Sequence, residues 1–326
     1  MTPALSRGNV SKDELSALRR MLGKLANAAL RKVGLELRRI DSDAVAAGRA
    51  LRKYEASGRI PWSEGYHVAH DKLIATTLDD YALMAVFAAG ETLPADYGIG
   101  IDERCVELPW LFAKLRNVSG RILDAGSALN HAFLIDRLLR DDRKLDVMTL
   151  APEKPCFTHR GVAYLYEDLR NIPIVDEHYD CVACISTLEH VGFDNEAFTK
   201  RSAEVEHRPT DYLRACLEML RILRRGGRLL LTVPFGKYQD VGAFQQFSAR
   251  EIGLLTQSMH GAKIDIGYFK LRRTGAWDVA TADECAQCES VHWVMARENE
   301  RPAVFPMQAD KAASARAVAC LDIVKG

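Results

Sequence analysis

From residue 120 onward, short apolar runs alternate with stretches of helical period. Residues 120–126 (GRILDAG), 145–150, 163–165, 179–186 and 227–233 (GRLLLTV) are apolar almost throughout. That is the pattern of strands buried on both faces rather than one. Residues 132–139 and 211–223 carry apolar side chains at three- and four-residue steps and predict helices between those strands. Strands and helices in alternation predict a doubly wound, mostly parallel sheet covered on both sides. Residues 263–269 and 290–296 are two further strand candidates, suited to a closing antiparallel pair, which makes seven strands in all.

Ahead of this α/β region the pattern is helical. Residues 11–33 open on Ser11-Lys12-Asp13-Glu14, a capping-box spacing. Leu15, Leu18, Leu22, Leu25 and Ala29 then form one apolar stripe, weakened by Gly23 and Gly34. Two more helices are predicted over residues 41–58 and 67–90, each ending at a glycine. His67 and His70, three apart on the second, read as packing or surface histidines. Residues 91–110 are punctuated by Gly and Pro and read as a loop leading into the main domain. The expected division is a helical region over residues 1–95 and an α/β domain over 96–326.

Charge changes this picture at one place. Lys+Arg and Asp+Glu are both 44, so the chain is formally neutral. Residues 1–40 hold nine basic and three acidic side chains, a net +6 that leaves −6 for the rest. The basic helix suits packing on its own domain or on a twin subunit of a homo-oligomer. The alternative is peripheral contact with anionic lipid at the inner membrane face, or with a partner. Overall neutrality argues against a dedicated nucleic-acid binder. No apolar run reaches the roughly 20 residues that cross a bilayer, and no secretory leader is legible. The eight cysteines are too sparse for a disulfide scaffold, which points to a reducing, cytoplasmic setting. Cys181 and Cys184 lie three apart on a strand and must face opposite sides. Cys285 and Cys288, with His292 beyond them, lack a second pair and read as ordinary thiols, so no metal is expected.

The chemistry sits at strand ends. In an open parallel sheet, ligands bind at the carboxyl ends of strands where strand order reverses. The first strand ends in Asp124-Ala125-Gly126-Ser127-Ala128-Leu129-Asn130. One glycine is too few for a dinucleotide pyrophosphate, which sets a nicotinamide-dependent dehydrogenase aside. Asn130 is suited to a left-handed conformation in place of a third glycine. Further on come Glu167-Asp168-Leu169, then Ile172-Pro173-Ile174 and Tyr179-Asp180. After them stand Ser186-Thr187-Leu188-Glu189-His190-Val191 and LRILRRGGRLLLTVP over residues 220–234.

In this order and spacing the segment, roughly residues 100–300, resembles class I S-adenosylmethionine-dependent methyltransferases. The resemblance implies a Rossmann-like sheet, with S-adenosylmethionine as cofactor and S-adenosylhomocysteine as product. It implies that Gly126, Ser127 and neighbouring backbone, with Asn130, meet the methionine part, and that Asp124 organises the turn or meets the amino group. Asp168 would accept from the adenine N6 amino group, with Leu169 beside N1; its plainer role is a helix cap or surface acid. Ala151 stands where the family's ribose-binding acid ends strand two, leaving Glu153 as the nearest substitute. Ala128 adds a methyl where the family has a second glycine. Ser186 and Glu189, at the end of strand four, would line the cofactor.

The implied reaction is direct displacement at an activated methyl group, which asks mainly for alignment and exclusion of water. A hydroxyl acceptor also needs a base, and His190, Asp240 and His131 are the candidates. The fourth strand does not end in Asn/Asp-Pro-Pro-aromatic, which argues against amide and base-amino acceptors. Pro155-Cys156 follows strand two, the wrong place for a nucleophile. The segment GIDERCVELPWLFAKL, followed by DAGSALNH, resembles methyltransferases found alongside bacterial polysaccharide assembly enzymes (O-antigen and capsule). That implies O-methylation of a sugar or glycan, on a nucleotide-sugar or a lipid carrier. The alternatives are a small metabolite or natural product as acceptor, or a methyltransferase-like scaffold without turnover in a glycan assembly complex.

Overall fold

The computed structural model describes residues 42–140, 142–199, 206–291 and 308–326. The chain divides into two compact units, Met1–Arg49 and Ala50–Gly326, and the sheet belongs entirely to the second. The basic helix expected over residues 11–33 lies outside the described residues, as does most of the strand expected at 290–296. Among the described residues no helix is long and apolar enough to cross a membrane.

The first described helix is Ser42–Ala56 (α1). The single helix expected over residues 67–90 is two, Tyr66–Asp79 (α2) and Tyr81–Ala89 (α3). Asp80 makes the break. Its carboxylate accepts from the backbone N–H groups of Ala82 and Leu83 at 2.9 and 3.1 Å, which starts a new helix as an N-cap. Gly90 closes α3 in the left-handed conformation, φ 68°. The loop expected over residues 91–110 ends early, because Arg104–Leu115 is a helix (α4) with Pro109 inside it. The proline ring removes the N–H that would bond the Cys105 carbonyl four residues back. The Tyr97 hydroxyl donates to that carbonyl instead, at 2.6 Å. Both α2 and α3 pack on α4.

The α/β part follows. Arg121–Ala125 (β1), Ala132–Leu138 (α5), Lys144–Thr149 (β2), Ala163–Tyr166 (β3) and Tyr179–Ile185 (β4) come first. Glu196–Thr199 (α6), Tyr212–Ile222 (α7) and Leu223–Pro234 (β5) lead to a short hairpin of Gln239–Asp240 (β6) and Gln245–Gln246 (β7). Ala249–Ser258 (α8), Lys263–Leu271 (β8), Trp277–Ala280 (β9), Ala282–Cys285 (α9) and Ala317–Val324 (β10) complete the order.

Eight strands form one sheet, in the order β3-β2-β1-β4-β5-β10-β8-β9. β1 to β5 are mutually parallel. β10 runs antiparallel to β5 and β8, and β9 antiparallel to β8. The sheet is therefore mixed and eight-stranded, not seven-stranded as expected. The strand that closes it against β5 and β8 is the apolar run AVACLDIV near the C-terminus, and β9 is a further edge strand.

β1, β2, β4 and the second half of β5 are buried on both faces because helices cover both, while the edge strand β3 is partly exposed. Ile122, Val147, Cys181, Ala183 and Leu230 pack with Leu111, Leu134, Ile135 and Leu138 of α4 and α5. Leu123, Met148, Val182, Cys184, Leu229 and Leu231 pack with Tyr212, Cys216, Met219, Ile252 and Leu255 of α7 and α8. Cys181 and Cys184 thus face opposite sides, as their spacing requires. Strand order reverses between β1 and β4, where a ligand crevice is expected at their carboxyl ends, and α4 reaches the β4 end at Ser186.

Candidate active site

The β1 turn is built on Asp124. Its side chain is fully buried beneath the turn, Oδ2 accepts from the Leu129 N–H at 2.9 Å, and Oδ1 has no partner among the described residues. Burial pushes the carboxyl up to about 7, against the bond from Leu129. Gly126 has φ 116°, and a Cβ there would lie 2.0 Å from Thr187 Oγ1. Its lack of a side chain lets the β1 turn meet the β4 tip. Ala128 turns its methyl into the core cluster under α4 and α5.

The left-handed residue of the turn is Ser127, φ 61°, and not Asn130 as expected. Asn130 spends its amide on cross-linking instead. Nδ2 donates to the Pro155 carbonyl at 3.0 Å, and Oδ1 accepts from the Tyr164 hydroxyl at 2.8 Å. Ser127 in turn donates to Glu153 Oε1 at 2.7 Å, and Thr149 donates to the same oxygen at 3.0 Å. An exposed carboxylate therefore stands between the tips of β1 and β2, held by hydroxyls from both.

On the far side of β2, Asp168 is gripped by Arg170. The guanidinium reaches its carboxylate from Nε and Nη2 at 2.6–3.1 Å, and Arg170 also pairs with Glu206 and Asp211. Burial alone would raise the Asp168 carboxyl, but the Arg170 bonds hold it below the usual carboxylate range. Leu169 is buried beside Ile172 and Met148.

At the β4 tip, Ser186 takes φ 38°, and Thr187, Leu188, Glu189 and His190 follow. Glu189 is 3% exposed, its Oε2 has no partner among the described residues, and burial holds its carboxyl well above the usual range. His190 Nδ1 lies 2.9 Å from the Ala243 carbonyl of the β6–β7 hairpin. A carbonyl can only accept, so Nδ1 carries the proton and the lone pair of the neutral ring is on Nε2. Burial lowers this imidazole below its ordinary value. Burial also lowers His131, which precedes α5. Asp240, on the hairpin, is taken up by His207 Nε2 at 2.6 Å and by the Gly242 N–H.

A second group of charges meets the same tips and was not anticipated. Arg104 Nη1 donates to Glu107 Oε2 at 2.6 Å, and Glu107 Oε1 accepts from Ser186 Oγ at 2.6 Å. His70 lies between Asp71 Oδ1, at 2.8 Å, and Asp102 Oδ1, at 3.3 Å, while Tyr66 donates to Asp102 Oδ2 at 2.7 Å. Burial pulls His70 down, but Asp102 and then Asp71 outweigh it and lift it to about 9. Burial, and then repulsion from Asp102 and Glu107, push Glu103 up to about 8. The signal was present in the sequence: Asp102, Glu103, Arg104 and Glu107 open a run that is otherwise apolar. Among the described residues, no cluster of His, Cys, Asp and Glu is arranged to hold a metal ion.

Comparison with known proteins bears on what these strand tips serve. A family model described as a methyltransferase domain matches residues 143–231, from the start of β2 into β5. No curated protein matches the chain. Among solved structures, the [4+2]-cyclase SpnF is similar at 16% identity over 77% of this chain and 94% of that one, TM-score 0.42. The N-methyltransferase NodS from Bradyrhizobium japonicum, in complex with S-adenosyl-L-homocysteine, aligns at 14% identity over 79% and 98%, TM-score 0.38. The 1,6-didemethyltoxoflavin-N1-methyltransferase of Burkholderia thailandensis aligns at 13% identity over 90% and 94%, TM-score 0.40. Residues 143–231 thus match a methyltransferase domain.

Proposed function

We propose that this S-adenosylmethionine-dependent methyltransferase delivers the methyl group to a hydroxyl of a sugar or glycan. The observation that carries the hydroxyl reading is His190. The Ala243 carbonyl fixes its tautomer with the lone pair on Nε2, at the tip of β4, inside the matched domain. A neutral imidazole there suits removal of a hydroxyl proton. The sugar or glycan part is supported by the resemblance of residues 100–131 to methyltransferases of polysaccharide assembly.

Three groups at these strand tips support an adenosyl cofactor there. Glu153, held between β1 and β2, offers a carboxylate to ribose hydroxyls. Asp124 and Glu189 each present a buried oxygen without a partner, suited to N–H donors of the methionine part. Asp168 contributes to adenine recognition only through what Arg170 leaves of its half-exposed carboxylate. When bound, S-adenosylmethionine supplies a methyl carbon already activated by the sulfonium. The chain's own work is to align the acceptor oxygen, take its proton at His190 Nε2 and keep water out.

The test is methyl transfer from S-adenosylmethionine carrying a labelled methyl group to a panel of nucleotide-sugars and lipid-linked glycans, with small phenols and amines alongside. Label in a sugar hydroxyl is the expected result. Label only in an amine or a non-sugar metabolite replaces the acceptor reading, and cofactor binding without transfer to any acceptor favours the scaffold.

A further inference from the structure

Glu107 is a fully buried carboxylate set between Val106 and Leu108, both buried and apolar. An apolar residue at this place on α4 would avoid the cost of taking a charge out of water. What the carboxylate does instead is specific. Oε1 accepts from Ser186 Oγ, 79 positions away along the chain, and Oε2 pairs with Arg104.

Ser186 is the first residue beyond β4 and is not glycine, yet its φ is 38°. L-residues avoid this region unless the surroundings hold them there. Its N–H donates to the carbonyl and the hydroxyl of Thr232 on β5, both at 3.1 Å. Its carbonyl faces Arg104 Nη2 at 3.5 Å, and its hydroxyl belongs to Glu107. α4 therefore holds two of the polar groups that fix this conformation. Everything downstream depends on it: Thr187 packs against Gly126, and Glu189 and His190 follow within four residues.

We propose that Glu107 is a positioning residue that sets the β4 tip for cofactor binding by acting through Ser186; this rests on the reading of the crevice given above. Arg104 balances its charge. The pair makes the position of α4, and hence of α2 and α3 packed on it, a determinant of cofactor affinity.

A double-mutant cycle tests the proposal by calorimetry of S-adenosylhomocysteine binding, with thermal midpoints recorded in parallel. Glu107→Leu removes both bonds, and Glu107→Gln keeps an acceptor for Ser186 but loses the charge. Ser186→Gly removes the hydroxyl while adopting φ 38° freely. Glu107→Leu and Ser186→Gly are each expected to weaken binding about tenfold, and the two together by no more than either alone. Should Glu107→Leu fail to fold, Glu107→Gln takes its place in the cycle, with a smaller loss that vanishes in the Ser186→Gly background. A merely structural Glu107 would move the thermal midpoint and leave the affinity of the folded protein unchanged, which overturns the proposal. Losses of affinity that multiply in the double variant also overturn it. A wild-type chain that binds no S-adenosylhomocysteine at millimolar concentration sinks the reading of the crevice itself, and the proposal with it.

Discussion

Asp124→Asn should change the sign of its effect on stability with pH. Asp124 ends β1 with its side chain out of contact with water, one oxygen bonded to Leu129 and the other unpartnered. Burial lifts its carboxyl from 3.8 to about 7. A carboxyl that keeps its proton to higher pH in the fold than in the unfolded chain stabilises fully below its unfolded value. That contribution is lost as pH rises from about 4 toward 7. At about 1.36 kcal/mol per pH unit, the loss by pH 8 is on the order of 4 kcal/mol. The asparagine of the variant cannot ionise and escapes that loss. It keeps an acceptor for Leu129 but buries an amide N–H without a partner, at about 1–3 kcal/mol. The variant is therefore expected to be less stable than the parent near pH 4 and more stable near pH 8, by about 1–3 kcal/mol in each case. The crossing falls between about pH 4.5 and 6. Thermal melts across this range read the difference directly, at about 2–4 °C per kcal/mol for a chain of this size. A difference in midpoint that stays constant with pH would refute the argument, because it would mean that Asp124 ionises alike in both states.

Two further outcomes follow from the same tips. Gly126→Ala puts a Cβ 2.0 Å from Thr187 Oγ1 at a φ of 116°, so a loss of about 3 kcal/mol or more is expected in urea melts; Thr187→Gly in the same chain should restore part of it, and a variant as stable as the parent would show that the two tips do not touch. For His190, burial holds the imidazole below 6.5, so kcat/KM should climb at acid pH and be level from about pH 7 upward. His190→Gln should cost about 10²–10⁴-fold and abolish the acid limb, and an unchanged profile in that variant would remove His190 as the base.

The turns that carry the candidate residues were legible because each is local. Asp124, Gly126 and Ser127 share one turn, and Glu189 and His190 share another, so short spacing was enough to find them. Glu153 was legible as the nearest acid to the end of β2, and the structure gives it a reason in the hydroxyls of Ser127 and Thr149. Asn130 was misjudged because its residue type permits a left-handed backbone, while the turn gave that conformation to Ser127 and used the Asn130 side chain as a cross-link. α4 was missed because Pro109 normally argues against a helix. Only the tertiary partner of the freed Cys105 carbonyl, Tyr97, makes the proline tolerable.

By itself the sequence determined the parallel half of the sheet and where its strands end. Apolar runs of that length can be satisfied only by burial on both faces, and the turns that end them are read from a few adjacent residues. The last strand, AVACLDIV, was not among the expected ones, and its place came from the fold, since pairing antiparallel between β5 and β8 joins residues some 90 and 50 positions apart. Tertiary structure alone decided that Arg104 and Glu107 meet Ser186 at the β4 tip and that His70 meets Asp102. Their meeting with Ser186 and with one another depends on how α2 and α4 pack over the sheet. The place of Asp102, Arg104 and Glu107 in an otherwise apolar run marks them for burial, but nothing along the chain says which partner each will face.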